Sequence, residues 1–508
     1  MVGIPRPRGI AFMPYMLLTG VTGLLGRYLV KDLLLADIPL AVLVRPTRKA
    51  TARQRVENLM AYWDEQLGRR MPRPVVLEGD ITEPDLGLDA ASIRWITENC
   101  DRILHNAASL TFVSTGPESE PWRSNVDGTR NVLDVCRQAQ IREFHHVSTA
   151  YVAGLRSGVV YESELDVGQE WSNDYERSKV EAEKMVRSAE FLDSVTVYRP
   201  AIITGDSRNG YTTTFHGYYA PLQVIHTFQQ TLPYDPATRR LGTPSRFSLF
   251  GNETKNLVPV DWVSAVTALV VANRQHHGQT FHLTPRHAVT FRLLADILER
   301  TGRFYAVKFS GHEPLENPTE YEKLFCDLIR VYSSYWRDDP RFDTSNTERV
   351  APHLPCPLMD RSMLLMLADY ATSVNFNGPP LKPQIPDFDA AKVLQPLLDG
   401  TTKSQAEGAA ALSLDVIGPG GGQWKIFVNG SGALTKAEPG VGANGTPTVR
   451  LAADTLTSLV GGTVTVQHAL ANGSLQLSRG SIPQESMQRL FRQMAASRQS
   501  ELVTANAR

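Results

Sequence analysis

Tyr175 and Lys179 stand four residues apart in Tyr-Glu-Arg-Ser-Lys. On a helix that spacing puts both side chains on one face. A free tyrosine ionises near pH ~10, and a neighbouring ammonium lowers that value by favouring the phenolate. A phenol tuned in this way exchanges a proton with a carbonyl or alcohol oxygen near neutral pH. The pair alone is common. Its position after a Ser-Thr strand end, and well downstream of a glycine-rich turn, gives it weight. That strand end is Val147-Ser148-Thr149-Ala150-Tyr151. A hydroxyl there can hydrogen-bond a reacting oxygen. Thr149 is favoured over Ser148, and the alternative for either is a turn hydroxyl. Asn125, in Asn-Val-Asp-Gly-Thr, holds a water in a proton relay to Lys179 or, equally, caps or fills a helix kink.

The glycine turn is Thr19-Gly20-Val21-Thr22-Gly23-Leu24-Leu25-Gly26, placed between a short apolar strand and a helix. Gly20 permits a tight turn, Gly23 lets the backbone approach a pyrophosphate, and Gly26 allows helix to pack on strand. Free N–H groups at the helix start attract phosphate. The other reading is a plain turn. Arg45 ends the second strand, where an acidic residue would bind the 2′-hydroxyl of NAD. An arginine there pairs instead with the 2′-phosphate of NADP, unless it is a solvated surface residue. Asp80-Ile81 ends the third strand and is placed to contact adenine, or Asp80 caps a helix. His105, His145 and His146 show no partner pattern and read as structural; no metal ligand set is expected.

These residues need strands and helices to carry them. Apolar runs at Met16–Leu18, Leu40–Val44, Val75–Leu77, Ile103–Leu104, Phe144–Val147 and Val195–Tyr198 alternate with helical patterns, one of them over 51–67. That alternation predicts an α/β fold with a doubly wound parallel sheet, ligands lying at the strands' carboxyl ends. Phe281-His282-Leu283 returns to the sheet, and 200–378 mainly supplies substrate-pocket elements. The expected division is 14–378 for this domain, 379–386 for a Pro/Gly linker and 387–496 for a separate α+β domain. In the last, Leu412, Leu414 and Val416 alternate with polar residues ahead of a glycine turn. Trp424, Ile426 and Val428 follow, which predicts an antiparallel hairpin. Met487, Leu490, Phe491 and Met494 mark a final helix. Residues 1–12 read as a loose leader.

The chain has 508 residues, too long for one core. Its 52 Lys+Arg against 53 Asp+Glu argue against a nucleic-acid surface. Cys100, Cys136, Cys326 and Cys356 form no CxxC pair and suit a reduced, cytoplasmic setting. The apolar stretch from Tyr15 to Val30 is broken by glycines and polar residues, so neither a transmembrane helix nor a signal peptide is expected.

Together these motifs resemble the extended short-chain dehydrogenase/reductase superfamily over about 14–300. They are TGVTGLLG at 19–26, GDI at 79–81, HNAA at 105–108, NVDGT at 125–129, STAYVAG at 148–154, YERSK at 175–179 and YRPAIITGD at 198–206. The resemblance implies a Rossmann fold and catalysis by Thr149, Tyr175 and Lys179, with Asn125 in support. It also implies that NADPH is held by Gly20, Thr22, Gly23, Leu24, Leu25, Gly26, Arg45, Asp80, Ile81 and Ala107, with Tyr175 and Lys179 on the nicotinamide ribose. The long insertion from Arg45 to Pro74 and the segment NAASLTFVSTGP look like thioester reductases and fatty acyl-CoA reductases. An acyl thioester is then the implied substrate and an acyl carrier protein a possible partner. Residues 387–496, through GGGQWKIFVNGSG, resemble the sterol-carrier-protein domain, which implies bound lipid; a stabilising or dimerising domain is the alternative.

Three functions remain open on this reading. They are thioester reduction to aldehyde or alcohol, oxidoreduction of a sterol-like alcohol or ketone, and lipid transfer with an NADPH-sensing domain.

Overall fold

Alternate residues of the first two strands feed opposite cores. Strand β1 (Tyr15–Thr19) and strand β2 (Leu40–Val44) are buried at every position. Met16, Leu18, Leu40, Val42 and Val44 pack with helix α1 (Leu24–Leu35), helix α2 (Ala52–Leu67) and, from farther along the chain, residues 260–271. Tyr15, Leu17, Ala41 and Leu43 pack the other way, on Val132, Val135 and Val186. Continuous apolar strands with helices on both faces are the mark of a buried parallel sheet.

The computed structural model describes residues 14–231, 234–235, 240–241, 245–302 and 307–378; beyond these it describes 390, 394, 412–417, 421–428, 434–439, 446–471, 474–477 and 487–492. The leader at 1–12, the linker at 379–386 and Met494 lie outside the described residues. After β2 come β3 (Val75–Glu78), helix α3 (Ala90–Asn99), β4 (Cys100–His105), helix α4 (Gly128–Gln138), β5 (Glu143–Val147), helix α5 (Asp174–Arg187) and β6 (Ser194–Pro200). Helices α6 (Tyr219–Thr231) and α7 (Val260–Ala272), strand β7 (Thr280–Leu283) and helix α8 (Phe291–Gly302) follow. The seven strands pair in parallel in the order β7-β6-β5-β4-β1-β2-β3. This is the expected doubly wound α/β sheet, and β1 and β4 meet at its centre, where the order reverses.

Helix α2 starts as its sequence dictates. Thr51 accepts from the Gln54 N–H while the Gln54 side chain accepts from the Thr51 N–H, a reciprocal cap. Helix α5 is capped by Asn173, whose Oδ1 accepts from Glu176 N–H at 3.0 Å. A third core joins α6, α8 and the helix Arg361–Ser373 through Leu222, Ile225, Ile297, Leu298, Leu364 and Leu367.

The C-terminal residues form a mixed sheet of five strands: β8 (Leu412–Ile417), β9 (Gly422–Val428), β10 (Leu434–Pro439), β11 (Thr448–Ala452) and β12 (Leu475–Leu477), ordered β10-β9-β8-β11-β12. The predicted hairpin is present, with Leu412 opposite Ile426 and Leu414 opposite Trp424. Leu412, Leu414, Val416, Trp424 and Ile426 face Leu456, Leu490 and Phe491 in a core of their own. Alternation predicts that the other face meets water, yet Ser413, Asp415 and Arg450 are buried as well. The reason is contact with the first domain. Arg53 of α2 donates to Val416 O at 3.3 Å and pairs with Asp415 at 3.5 Å, and Tyr15 OH donates to Gln476 Oε1 at 3.2 Å. Among the described residues no helix is long and apolar enough to cross a membrane.

Candidate active site

One cavity of about 560 Å³ opens at the carboxyl ends of the central strands. It runs from the glycine turn, past Thr149, Tyr175 and Lys179, to an apolar region under α6 and α8. Of the sequence-predicted site residues, Gly20, Thr22, Gly23, Leu24, Leu25, Arg45, Asp80, Ile81, Ala107, Thr149, Tyr175 and Lys179 border it. Gly26 and Asn125 do not.

The turn shows why glycine is needed. Gly20 has φ of +73°, and a Cβ there would lie 2.6 Å from Ala107 N. A Cβ on Gly26 would come within 2.1 Å of Gly20 O. A Cβ on Gly23 would meet only Gly20 O, at 3.5 Å, so that position faces open space at the start of α1. Bare backbone and unpaired helix N–H groups in the same place fit the phosphates of a dinucleotide. Thr19 locks this end of β1 to β4. Its Oγ1 accepts from the N–H groups of Asn106 and Ala107, both at 3.1 Å, and meets His105 Nδ1 at 2.8 Å. With two N–H donors already on its oxygen, Thr19 donates its proton to His105 Nδ1. His105 Nε2–H then faces Thr129 Oγ1 at 3.2 Å, and Thr129 donates to Asn125 O at 2.6 Å. Burial pulls the His105 imidazole down to about 3, so it stays neutral. His145 is buried between Tyr198 OH at 3.0 Å and Glu143 Oε1 at 3.3 Å. The His146 ring is also buried, and neither of its nitrogens has a partner among the described residues.

At the far end of the turn, Arg45 is exposed and reaches Asp80 Oδ2 at 3.4 Å. Asp80 Oδ1 accepts from both the N–H and the hydroxyl of Thr82 at 3.0 Å. Asp80 is therefore not a helix cap; the short helical turn Pro84–Gly87 begins after Glu83. Arg55 is a residue that sequence reasoning missed. It borders the same end of the cavity and donates from Nη1 to Arg45 O at 2.6 Å. Burial, then repulsion from Arg45, lowers its affinity for a proton. Two guanidinium groups side by side fit a phosphate better than one. The signal was its place in the first turn of α2, just past the capping Thr51.

The reactive groups converge at β5 and α5. Thr149 lies close to Tyr175 and its Oγ1 donates to Pro200 O at 3.5 Å, while the Ser148 hydroxyl is buried with no hydrogen-bond partner among the described residues. Thr149 Oγ1 also accepts from Tyr151 N–H at 3.3 Å. Lys179 lies one turn beyond Tyr175 and donates from Nζ to Val147 O at 2.8 Å. Burial pulls its ammonium down to about 8, with Glu183 opposing. The expected lowering of Tyr175 by Lys179 is not found. Burial pushes the phenol up to about 12 against the opposing influence of the nearby Thr149 hydroxyl, and the ammonium is engaged by Val147. Asn125 is buried at a wide helical turn, Arg123–Asp127. Its Oδ1 accepts from Ser109 N–H at 2.7 Å, and Nδ2 donates to Ser109 O at 3.1 Å and Ser178 Oγ at 2.9 Å. That is the kink-filling arrangement, and it leaves the side-chain amide no contact with Lys179.

Sequence reasoning also missed the aromatic wall. Phe112 packs edge-on to Tyr175 with ring centres 5.9 Å apart and meets Tyr332 and Tyr335 at 5.3 and 5.4 Å. Beyond it Leu222, Phe247, Leu294, Leu298, Ile329 and Trp336 line the cavity. These residues come from four distant segments with no shared motif.

Residues 18–267 match the family model described as NAD_binding_4, male sterility protein. The chain is 34% identical over 210 residues to isonitrile lipopeptide synthase of Mycobacterium tuberculosis, which covers 38% of this chain and 8% of that protein. It is 29% identical over 212 residues to the putative fatty acyl-CoA reductase CG8306 of Drosophila melanogaster, covering 39% of this chain and 38% of the other. The chain thus spans well under two thirds of either relative. Its fold is similar to the terminal R domain from the myxalamid PKS-NRPS biosynthetic pathway, at a TM-score of 0.58 and 25% identity over 73% of this chain and 93% of that one. Fold and likenesses mark an NAD(P)-binding domain of the extended short-chain dehydrogenase/reductase type. Within that class, the region 18–267 is of the male sterility, thioester-reductase-like kind.

Proposed function

We propose that this chain uses NADPH to reduce an acyl thioester, carried by CoA or an acyl carrier protein, to an aldehyde or alcohol. One observation carries the reading. The side chains of Thr149 and Tyr175 line one cavity together, where the glycine turn opens into a largely apolar half. Gly20, Gly23 and the start of α1 would hold the pyrophosphate, and Arg45 with Arg55 the 2′-phosphate. The bound cofactor supplies a hydride.

The thioester carbonyl oxygen would accept hydrogen bonds from Thr149 and Tyr175. Negative charge develops on that oxygen in the transition state, where these donors act most strongly. Tyr175 gives up its proton as the hemithioacetal forms, and Lys179 is one helical turn away to stabilise the resulting phenolate. Collapse of the hemithioacetal releases a thiol and leaves an aldehyde. A second hydride would give the alcohol.

Tyr175→Phe keeps the ring and removes the proton. It should lower turnover by at least about a hundredfold, as expected for loss of a positioned acid, with NADPH affinity nearly unchanged. Free thiol, measured alongside NADPH oxidation, separates a thioester from a sterol-like ketone. Full activity in the variant, or oxidation with no thiol, overturns the reading.

The C-terminal sheet would hold the apolar chain of substrate or product. Its likeness to the sterol-carrier-protein domain and its one-sided apolar core, with Trp424, support this. A fluorescent fatty-acid analogue should quench emission that Trp424→Phe removes; unchanged quenching in that variant counts against lipid in this domain.

A further inference from the structure

The substrate half of the cavity is largely apolar, with His216 and the tyrosines Tyr332 and Tyr335 among its polar residues, and it carries one formally charged residue among the described ones, Lys255. It lies in the short strand Thr254–Lys255 and is 4% exposed. Its Nζ donates to Asp339 Oδ1 at 2.5 Å, its single hydrogen-bond partner among the described residues. An ammonium has three donors, so two N–H groups have no partner among the described residues, on a side chain that borders the cavity. The Tyr335 ring centre is 5.9 Å from Nζ.

Asp339 does not need the lysine to fill its other oxygen. Oδ2 accepts from Tyr151 OH at 2.7 Å, from Asn256 N–H at 3.0 Å and from Asn256 Nδ2 at 3.3 Å. Tyr151 also ties this network to the reacting centre, because its backbone N–H holds Thr149 Oγ1 while its hydroxyl holds Asp339. The ammonium is therefore linked to the hydroxyl that binds the reacting oxygen through the Asp339 carboxylate and Tyr151. Burying a cation in an apolar wall is costly unless its donors are used. A tunnel for a plain alkyl chain would be served by leucine or methionine.

We infer that Lys255 is a specificity-determining residue that binds an oxygen acceptor carried on the acyl chain beyond the reacting carbon. Resting on the thioester reading, this makes the substrate an oxygen-bearing acyl group and not a simple alkanoyl one. The Lys255–Asp339 pair fixes the ammonium's position, and the spare donors select the oxygen.

The test uses the full chain and two pantetheine thioesters, octanoyl and a length-matched acyl group with one amide carbonyl in its chain. Lys255→Met should raise KM for the amide-bearing ester roughly tenfold to a hundredfold, the worth of a hydrogen bond to a charged group. KM for octanoyl and kcat for both should stay nearly unchanged. Lys255→Met leaves Asp339 buried without its cation, so Lys255→Met/Asp339→Asn, which removes both charges, is measured beside it and should show the same split. Parallel changes for the two esters, or no change for either, overturn the inference. A wild-type chain that turns over neither ester defeats the thioester reading instead. Lys255 is then judged from binding of the two esters: loss of an amide preference in the variants supports its role, and equal affinities refute it.

Discussion

The Lys179 ammonium donates to the carbonyl oxygen of Val147 at 2.8 Å, which ties α5 to the end of β5 beside the reacting hydroxyls. The bond holds a buried cation in place, and burial still pulls that cation down to about 8. Tyr175, up at about 12, keeps its proton throughout the range in which the enzyme can be assayed. The two groups therefore lose their protons in the order opposite to the simple expectation that lysine activates a phenolate.

The alkaline limb of kcat/KM, which reports the free enzyme, should accordingly fall near pH 8 and belong to Lys179. The sign follows from the cationic form being the useful one: activity is present below about 8 and lost as pH rises through it. Lys179→Arg keeps a cation at all accessible pH. Whatever its absolute rate, its limb should move up by more than about one pH unit. A limb that stays near 8 in that variant would assign it to another group.

Gly23 and Gly26 should separate binding from folding. A Cβ on Gly26 would meet Gly20 O at 2.1 Å, so Gly26→Ala must push helix from strand. Overpacking of this kind costs roughly 1–3 kcal/mol, read as a lower thermal midpoint. Gly23→Ala has room, with 3.5 Å to Gly20 O, and should keep the wild-type midpoint. It should nevertheless weaken dinucleotide binding, because the methyl fills the space where a pyrophosphate approaches the backbone. Equal melting and equal affinity in both variants would contradict the assigned turn.

The sheet was legible because its strands are short, apolar and separated by helices with 3.6-residue periodicity; Leu40–Val44 and the helix after Thr51 fall where the pattern put them. Thr149, Tyr175 and Lys179 were legible because each lies at a strand end or on a helix face. Arg55, Phe112, Lys255 and Tyr335 were not. Phe112, Lys255 and Tyr335 border the cavity through a tertiary approach of segments far apart in the chain, and Arg55 through the way the link after β2 folds back on Arg45. The buried outer face of β8 was hidden for the same reason: Asp415 alternates like a solvated residue, yet Arg53 of a distant helix and Arg450 of the neighbouring strand both pair with it. Asn125 shows the converse, where a motif marked the right residue and the structure fills its amide with Ser109 and Ser178.

Cofactor choice should follow from the two arginines at the adenosine end. Arg45 is exposed and shares Asp80, so its charge is partly answered within the protein. Arg55 is held against the Arg45 carbonyl, and burial together with the Arg45 cation lowers its affinity for a proton. An anion between the two guanidinium groups relieves that repulsion, and a 2′-phosphate supplies it where a 2′-hydroxyl does not. Arg55→Ala should therefore raise KM for NADPH roughly tenfold to a hundredfold, the range for a lost charge-assisted hydrogen bond. KM for NADH should stay nearly constant. Added salt should weaken NADPH binding more in the wild type than in the variant, since the lost contact is electrostatic. Equal losses for both cofactors would place Arg55 in support of the helix and not on the phosphate.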